Sequence, residues 1–199
     1  MTGETQFDRA IRLIDEANGA DPNRERVDGS EQPKELLYGR RMSVCLERLY
    51  PGAPEALRLA VRAQHLRRWA IPRDEFPMTR AGYHAWRTRL YRFHAEEAGP
   101  ILERAGYDAG TIVRVQELLQ KKNLRGDAET QALEDAACLV FIEYHLAEFA
   151  RRDGMDADKT IGIVRKTWAK MSARAHAVAL ALPMPDDLRA VVTNALDAG

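Results

Sequence analysis

Apolar residues recur along this chain at intervals of three and four, the spacing that places them on one side of an α-helix. Phe7, Ala10, Ile11, Leu13, Ile14 and Ala17 predict a first helix ending near Asn18-Gly19. The polar stretch from Asp21 to Gln32, with Pro22 and Gly29, reads as a loop. It is long for a structureless connection, which marks it as a candidate functional segment. Pro33 opens a second helix that runs to about Tyr50, where Pro51-Gly52 breaks it. A third helix is predicted from about Pro54 to Arg68, and Ala70 to Thr79, with two prolines, as a further loop. A long helix follows from Arg80 to Ala105, with a kink expected at Gly99-Pro100. Asp108 caps a helix from Ala109 to about Lys122. Gly126-Asp127 starts another that reaches about Arg152, and Asp156 caps one through Ile161, Val164 and Trp168. The last segments are Ala173 to Leu182 and Asp186 to Leu196. No alternating strand pattern of useful length is present, and no internal repeat.

The pattern predicts an all-α protein of about seven to nine helices, divided as a helical domain over residues 1–182 and a C-terminal helix or tail over 183–199. A length of 199 residues suits that organisation. Thirty basic and thirty acidic residues cancel, so net charge gives no reason to expect a nucleic-acid or membrane surface. The longest apolar run, about Ala175 to Met184, is far short of a bilayer span. The N-terminus lacks a basic start followed by an apolar core, so no signal peptide is expected, and the expected location is cytoplasmic. Cys45 and Cys138 both lie in apolar helical patterns and read as small buried hydrophobes.

Three polar groups interrupt these apolar patterns: His65, His94 and the pair Glu134-Asp135. Imidazoles and carboxylates are costly to bury without partners, so three of them on three helices suggest one shared polar site. Such a set could hold a divalent metal ion or act as acid and base. His84 and His176 lie among polar or small residues and read as incidental. His145 falls ten residues after Asp135, on a different helix face. Basic clusters recur at helix ends, including Arg40-Arg41, Arg67-Arg68, Arg87-Thr88-Arg89 and Lys121-Lys122. Singly each is a solvated face; together they suggest a pocket for a phosphate or carboxylate, which arginine recognises well. They alternate with acidic stretches and form no continuous nucleic-acid stripe.

Leu37-Tyr38-Gly39-Arg40-Arg41-Met42, Ala63-Gln64-His65-Leu66, the His94 segment and Leu133-Glu134-Asp135-Ala136-Ala137-Cys138-Leu139 together resemble, at a distance, the HD-domain superfamily of helical metal-dependent phosphohydrolases. Over about residues 5 to 182 the chain also looks like a family known only as a domain of unknown function. The HD resemblance implies a single HD-like helical bundle. His65 and Asp135 match two of its four metal ligands, and His94 matches an extra histidine of some members. The other two positions hold Tyr38 and Leu66. The resemblance implies a degenerate hydrolase acting on a small phosphorylated or nucleotide-like compound. His65, His94 and Asp135 would hold a divalent metal ion, with His65 and Glu134 as the catalytic pair. Arg40, Arg41, Arg67, Arg68, Lys121 and Lys122 would bind the anionic small molecule. The alternative is a non-catalytic helical module that binds an anionic metabolite or a protein partner; an oligomer is compatible with either.

Overall fold

The computed structural model describes residues 3–124 and 126–197. Ten α-helices occur among them: α1 (Gln6–Gly19), α2 (Lys34–Leu49), α3 (Glu55–Arg62), α4 (Arg80–Ala105), α5 (Ala109–Leu119), α6 (Ala128–Val140), α7 (Leu146–Ala150), α8 (Ala157–Trp168), α9 (Ala173–Leu180) and α10 (Asp186–Asp197). The protein is predominantly helical, as its apolar spacing predicts, with one helix more than the upper expectation.

Side-chain caps fix many of the boundaries. Thr5, Thr79, Asp108, Asp127, Asp156 and Ser172 each accept a backbone N–H in the first turn of the helix they precede. Helix α4 passes through Pro100 without a break and ends on Gly106, whose φ of 96° lies in the left-handed region that glycine adopts freely.

Three segments differ from the pattern-based reading. The Asp21–Gln32 stretch, with Pro33, forms an antiparallel hairpin, β1 (Arg24–Val27) and β2 (Ser30–Pro33), in the register Val27 to Ser30. Asp28 and Gly29 turn the chain with φ of 50° and 79°, the geometry of a two-residue hairpin loop. Helix α3 ends at Arg62 rather than Arg68; Ala63 to Arg67 form a turn, followed by a short 3₁₀ segment, Arg68–Ala70. The expected helix from Gly126 to Arg152 is divided by a π-helical turn over Phe141–His145, which separates α6 from α7.

The main core gathers Ile14 of α1, Met42, Cys45 and Leu49 of α2, Leu57 and Leu59 of α3, Leu102 of α4, Leu118 of α5 and Leu133 and Leu139 of α6. Leu66 belongs to it and is fully buried. A smaller cluster joins Leu146, Val164, Leu188, Val192 and Ala195, so α10 packs on α8. A third, Ile71, Trp86 and Leu90, lies beneath the loop after the 3₁₀ segment. Cys45 and Cys138 are buried free thiols; burial, with nearby carboxylates, pushes each up to about 12. No helix is long and apolar enough to cross a membrane, among the described residues.

Candidate functional site

The turn after α3 carries the site. Arg67 has a φ of 51°, an unfavourable conformation for a residue with a side chain. Its backbone N–H donates to Asn18 Oδ1 at 2.9 Å, which helps hold it there. Asn18 Nδ2 donates to the Glu35 carbonyl at 3.4 Å. Asp21 Oδ2 accepts the Glu35 backbone N–H at 2.9 Å. The end of α1 thus fixes both the turn that bears His65 and the first turn of α2.

Those two segments meet at the contact between His65 Nδ1 and Glu35 Oε2, 3.0 Å apart. The Glu35 residue is only 5% exposed. Tyr38, one turn further along α2, stacks on the imidazole with ring centroids 3.8 Å apart and planes 9° from parallel. Burial drives the His65 pKa well below its ordinary value, and Arg68, Arg87 and Lys121 push it the same way. Burial raises Glu35, against the opposing pull of Arg68. His65 is therefore a neutral imidazole at physiological pH. With Nδ1–H donated to Glu35, its Nε2 carries a free lone pair.

His94, on α4, is buried, with its ring centroid 5.9 Å from that of His65. Its Nδ1 lies 2.8 Å from the Leu66 carbonyl oxygen, which only accepts, so Nδ1 carries the proton. Burial, with His65 alongside, lowers its pKa to about 3. Gln64, His65, Arg68, Tyr83, Trp86, Arg87, Leu90, Tyr91 and His94 line a cavity of about 50 Å³. Gln64 is 3% exposed, and its Oε1 has no hydrogen-bond partner among the described residues. Arg68 stacks over Trp86, 4.8 Å from the ring centroid, and lies 3.7 Å from Glu35 Oε1.

Among the cations around the cavity, Arg68 has Glu35 and Lys121 has Glu134, while Arg87 has no carboxylate among the described residues. Its Nε donates to the Tyr91 hydroxyl at 3.1 Å and its Nη1 to the Tyr83 hydroxyl at 3.3 Å. Its Nη2 also donates to Tyr91. Two phenols hold the guanidinium in place without neutralising it.

The remaining expected site residues fall elsewhere. Asp135 is fully buried and accepts from Tyr50 Oη at 2.6 Å, Ser172 Oγ at 2.6 Å, the Ser172 backbone N–H at 2.8 Å and Gln131 Nε2 at 2.9 Å. These contacts tie α6 to the end of α2 and the start of α9; neither histidine is among its partners. Glu134 pairs with Lys121 and, at 3.7 Å, with Lys170. Burial raises the Glu134 pKa, but Lys121 and Lys170 outweigh it and the net shift is downward. Lys121 also lies 5.4 Å from the centre of the Tyr91 ring, behind one wall of the cavity.

Arg41 is committed to Glu25 of the hairpin at 2.6 Å and to the Tyr144 ring. Arg40 is 3.8 Å from Asp15, Arg67 pairs with Glu97 at 3.2 Å, and Lys122 is 3.9 Å from Glu117; all three side chains are about half exposed. Of the six basic residues expected at the site, Arg68 lines the cavity and Lys121 stands just behind it. Among the other histidines, His176 stacks on Trp168 at 4.0 Å and the His145 ring centroid lies 6.2 Å from that of Tyr38.

A divalent metal does not fit this arrangement. No group of three His, Cys, Asp or Glu side chains is placed to hold one, among the described residues. Arg68, Arg87 and Lys121 moreover give the surroundings of His65 a positive potential that disfavours a cation.

Glu35, Gln64 and Arg87 are the residues here that sequence reasoning passed over. Glu35 and Gln64 lie within the motifs that carry the resemblance, and Arg87 within a basic cluster. Their hidden signal was proximity to His65, which requires the fold.

A family model described as Domain of unknown function (DUF4202) matches residues 8–192. The chain belongs to that family. No curated protein and no solved structure matches it.

Proposed function

We propose that the protein binds a small phosphorylated or nucleotide-like compound, with the ligand's anionic group held by Arg87 and Arg68. The observation that carries this reading is Arg87, a half-buried guanidinium on a cavity wall with two phenol partners and no carboxylate. An unneutralised charge of this kind is costly to desolvate and is best matched by an anion. Small-molecule sites usually enclose roughly 300–1,000 Å³, so a cavity of about 50 Å³ receives one end of the ligand and leaves the rest at the mouth.

The test is the melting temperature of the whole protein against AMP, ADP and sugar phosphates at millimolar concentration, with and without magnesium or manganese. A compound that binds the folded state raises it. Arg87→Gln should reduce affinity by about tenfold to a hundredfold, the usual worth of charge-assisted hydrogen bonds. A wild-type protein indifferent to every phosphorylated compound overturns the reading.

A second, hydrolytic reading is favoured by the Glu35–His65 contact. A neutral imidazole backed by a carboxylate has a lone pair that can accept a proton from water, although its burial and the cations nearby make it a weak base. In that case water attacks phosphorus, the ester P–O bond breaks, His65 Nε2 takes the water proton, and the leaving alkoxide is protonated from solvent. Phosphate release that disappears in His65→Ala while ligand binding persists is its signature.

A further inference from the structure

Hydrogen-bonding chemistry changes with depth in the cavity. The deep residues, Gln64 and His94, are 3% and 2% exposed. Nearer the mouth, the Arg68 side chain is 31% exposed and Tyr83 is 40% exposed. The deep end is rich in acceptors. His94 must carry its proton on Nδ1, because that atom faces the Leu66 carbonyl oxygen, so its Nε2 is left with a lone pair. His65, whose 24% exposed side chain sits between the two ends, is in the same state, with Nδ1–H on Glu35. Gln64 adds a buried carbonyl oxygen that no donor reaches among the described residues.

A fully ionised phosphate has only acceptor oxygens and would meet lone pair against lone pair there. Arg87 and Arg68 supply donors in fixed forks, and Arg68 stands nearer solvent than Gln64 or His94. The two ends of the cavity therefore ask for opposite things: hydrogen-bond donors inside, negative charge at the mouth.

We propose that the ligand is a hydroxylated phosphate ester, inserted hydroxyl first, with Gln64, His65 and His94 accepting from the hydroxyl end and Arg87 and Arg68 holding the phosphate at the mouth. This rests on the anion-binding reading above and names the class of compound. Gln64 becomes the specificity-determining residue, since a donor-free ligand leaves its oxygen buried and unpaired. The same orientation places an alcohol rather than phosphorus beside His65, which counts against the hydrolytic reading.

The experiment compares glycerol 3-phosphate and ribose 5-phosphate with ethyl phosphate, by calorimetric titration of the full chain at pH 8. At that pH all three esters are dianions, since the second ionisation of a phosphate ester lies near about 6. The hydroxylated esters should bind at least about tenfold more tightly than ethyl phosphate, the discrimination expected when a buried acceptor is left unpaired. Gln64→Met, which keeps side-chain volume and removes the acceptor, should shrink that preference. Equal binding of all three esters to the wild-type protein overturns this inference and leaves the anion site standing. Failure of all three to bind overturns this inference, and the anion-binding reading with it where AMP and ADP also leave the melting temperature unchanged. The wild-type comparison decides the matter even where Gln64→Met does not fold.

Discussion

Replacing Asp135 by alanine should destabilise the protein severely while leaving the cavity chemistry alone. The carboxylate is fully buried and accepts four hydrogen bonds of 2.6 to 2.9 Å from Tyr50, Ser172 and Gln131. Each bond to a charged acceptor is worth about 1.5–3 kcal/mol. They are not additive, because the Tyr50 and Ser172 hydroxyls and the Gln131 amide can partly turn towards water. Removing one member of a buried polar network typically costs about 3–5 kcal/mol, and that is the expected loss. For a chain of this length each kcal/mol lowers the melting temperature by roughly 2–4 °C, so a fall of about 6–20 °C is expected. Calorimetry and urea melts of the wild-type, Asp135→Asn and Asp135→Ala proteins measure it. Asn keeps the shape and one acceptor and should lie between the other two, since the Ser172 amide and Gln131 still need an acceptor. Phosphate-ester affinity should be unchanged in whichever variant stays folded. A loss below about 1 kcal/mol, or a loss of ligand binding at unchanged stability, refutes the assignment of Asp135 as a structural tie.

Stability should fall as pH drops from about 6.5 towards 3. Burial holds His94 at about 3 against an ordinary 6.5, so the unfolded chain takes up a proton that the folded one refuses. This contribution is whole above the unfolded value and amounts to ~3 kcal/mol lost by pH 4; His65, lowered for the same reason, adds to it. The raised Glu35 acts in the opposite sense, because the folded state keeps that proton to higher pH than the unfolded chain does. Urea midpoints that do not decrease between pH 7 and pH 4.5 contradict the assignment of buried neutral imidazoles. Gly39→Ala should destabilise by about 1–2 kcal/mol despite the better helix propensity of alanine. Its Cβ would lie 2.9 Å from the Arg62 backbone oxygen, which forces α2 and α3 apart; an unchanged thermal midpoint would refute that close approach.

Much of the helical scaffold was legible because burial and helix period coincide. Asp108 and Asp156 stand where caps are needed, and Gly106 where a left-handed residue is. The hairpin escaped because Arg24-Glu25-Arg26 and Ser30-Glu31-Gln32 present no apolar face to alternate. Its signal was the Asp28-Gly29 pair, a two-residue turn, rather than hydropathy. The end of α3 escaped for a different reason. Leu66 and Ala63 are core residues that continue the apolar spacing, but Asn18 captures the backbone at Arg67 and turns the chain away. The π-helical turn lies in a stretch whose composition suits an unbroken helix. At the site, His65 and His94 do adjoin one another, as two costly polar groups on apolar segments suggested. Asp135 satisfied the same criterion through another set of partners. Burial cost establishes that a polar residue has partners; it does not say which.

Asn18 has a consequence for how the protein responds to change at its start. Its amide group clasps the turn at Arg67 with one end and the first turn of α2 with the other. The distance between a proton acceptor on one segment and its carboxylate on the other is therefore inherited from a helix that contributes no side chain to the cavity. Loosening α1, by truncation or by Asn18→Leu, would leave every cavity residue in place in the sequence and yet detune the imidazole they surround. The first helix is in this sense the adjusting screw of the site.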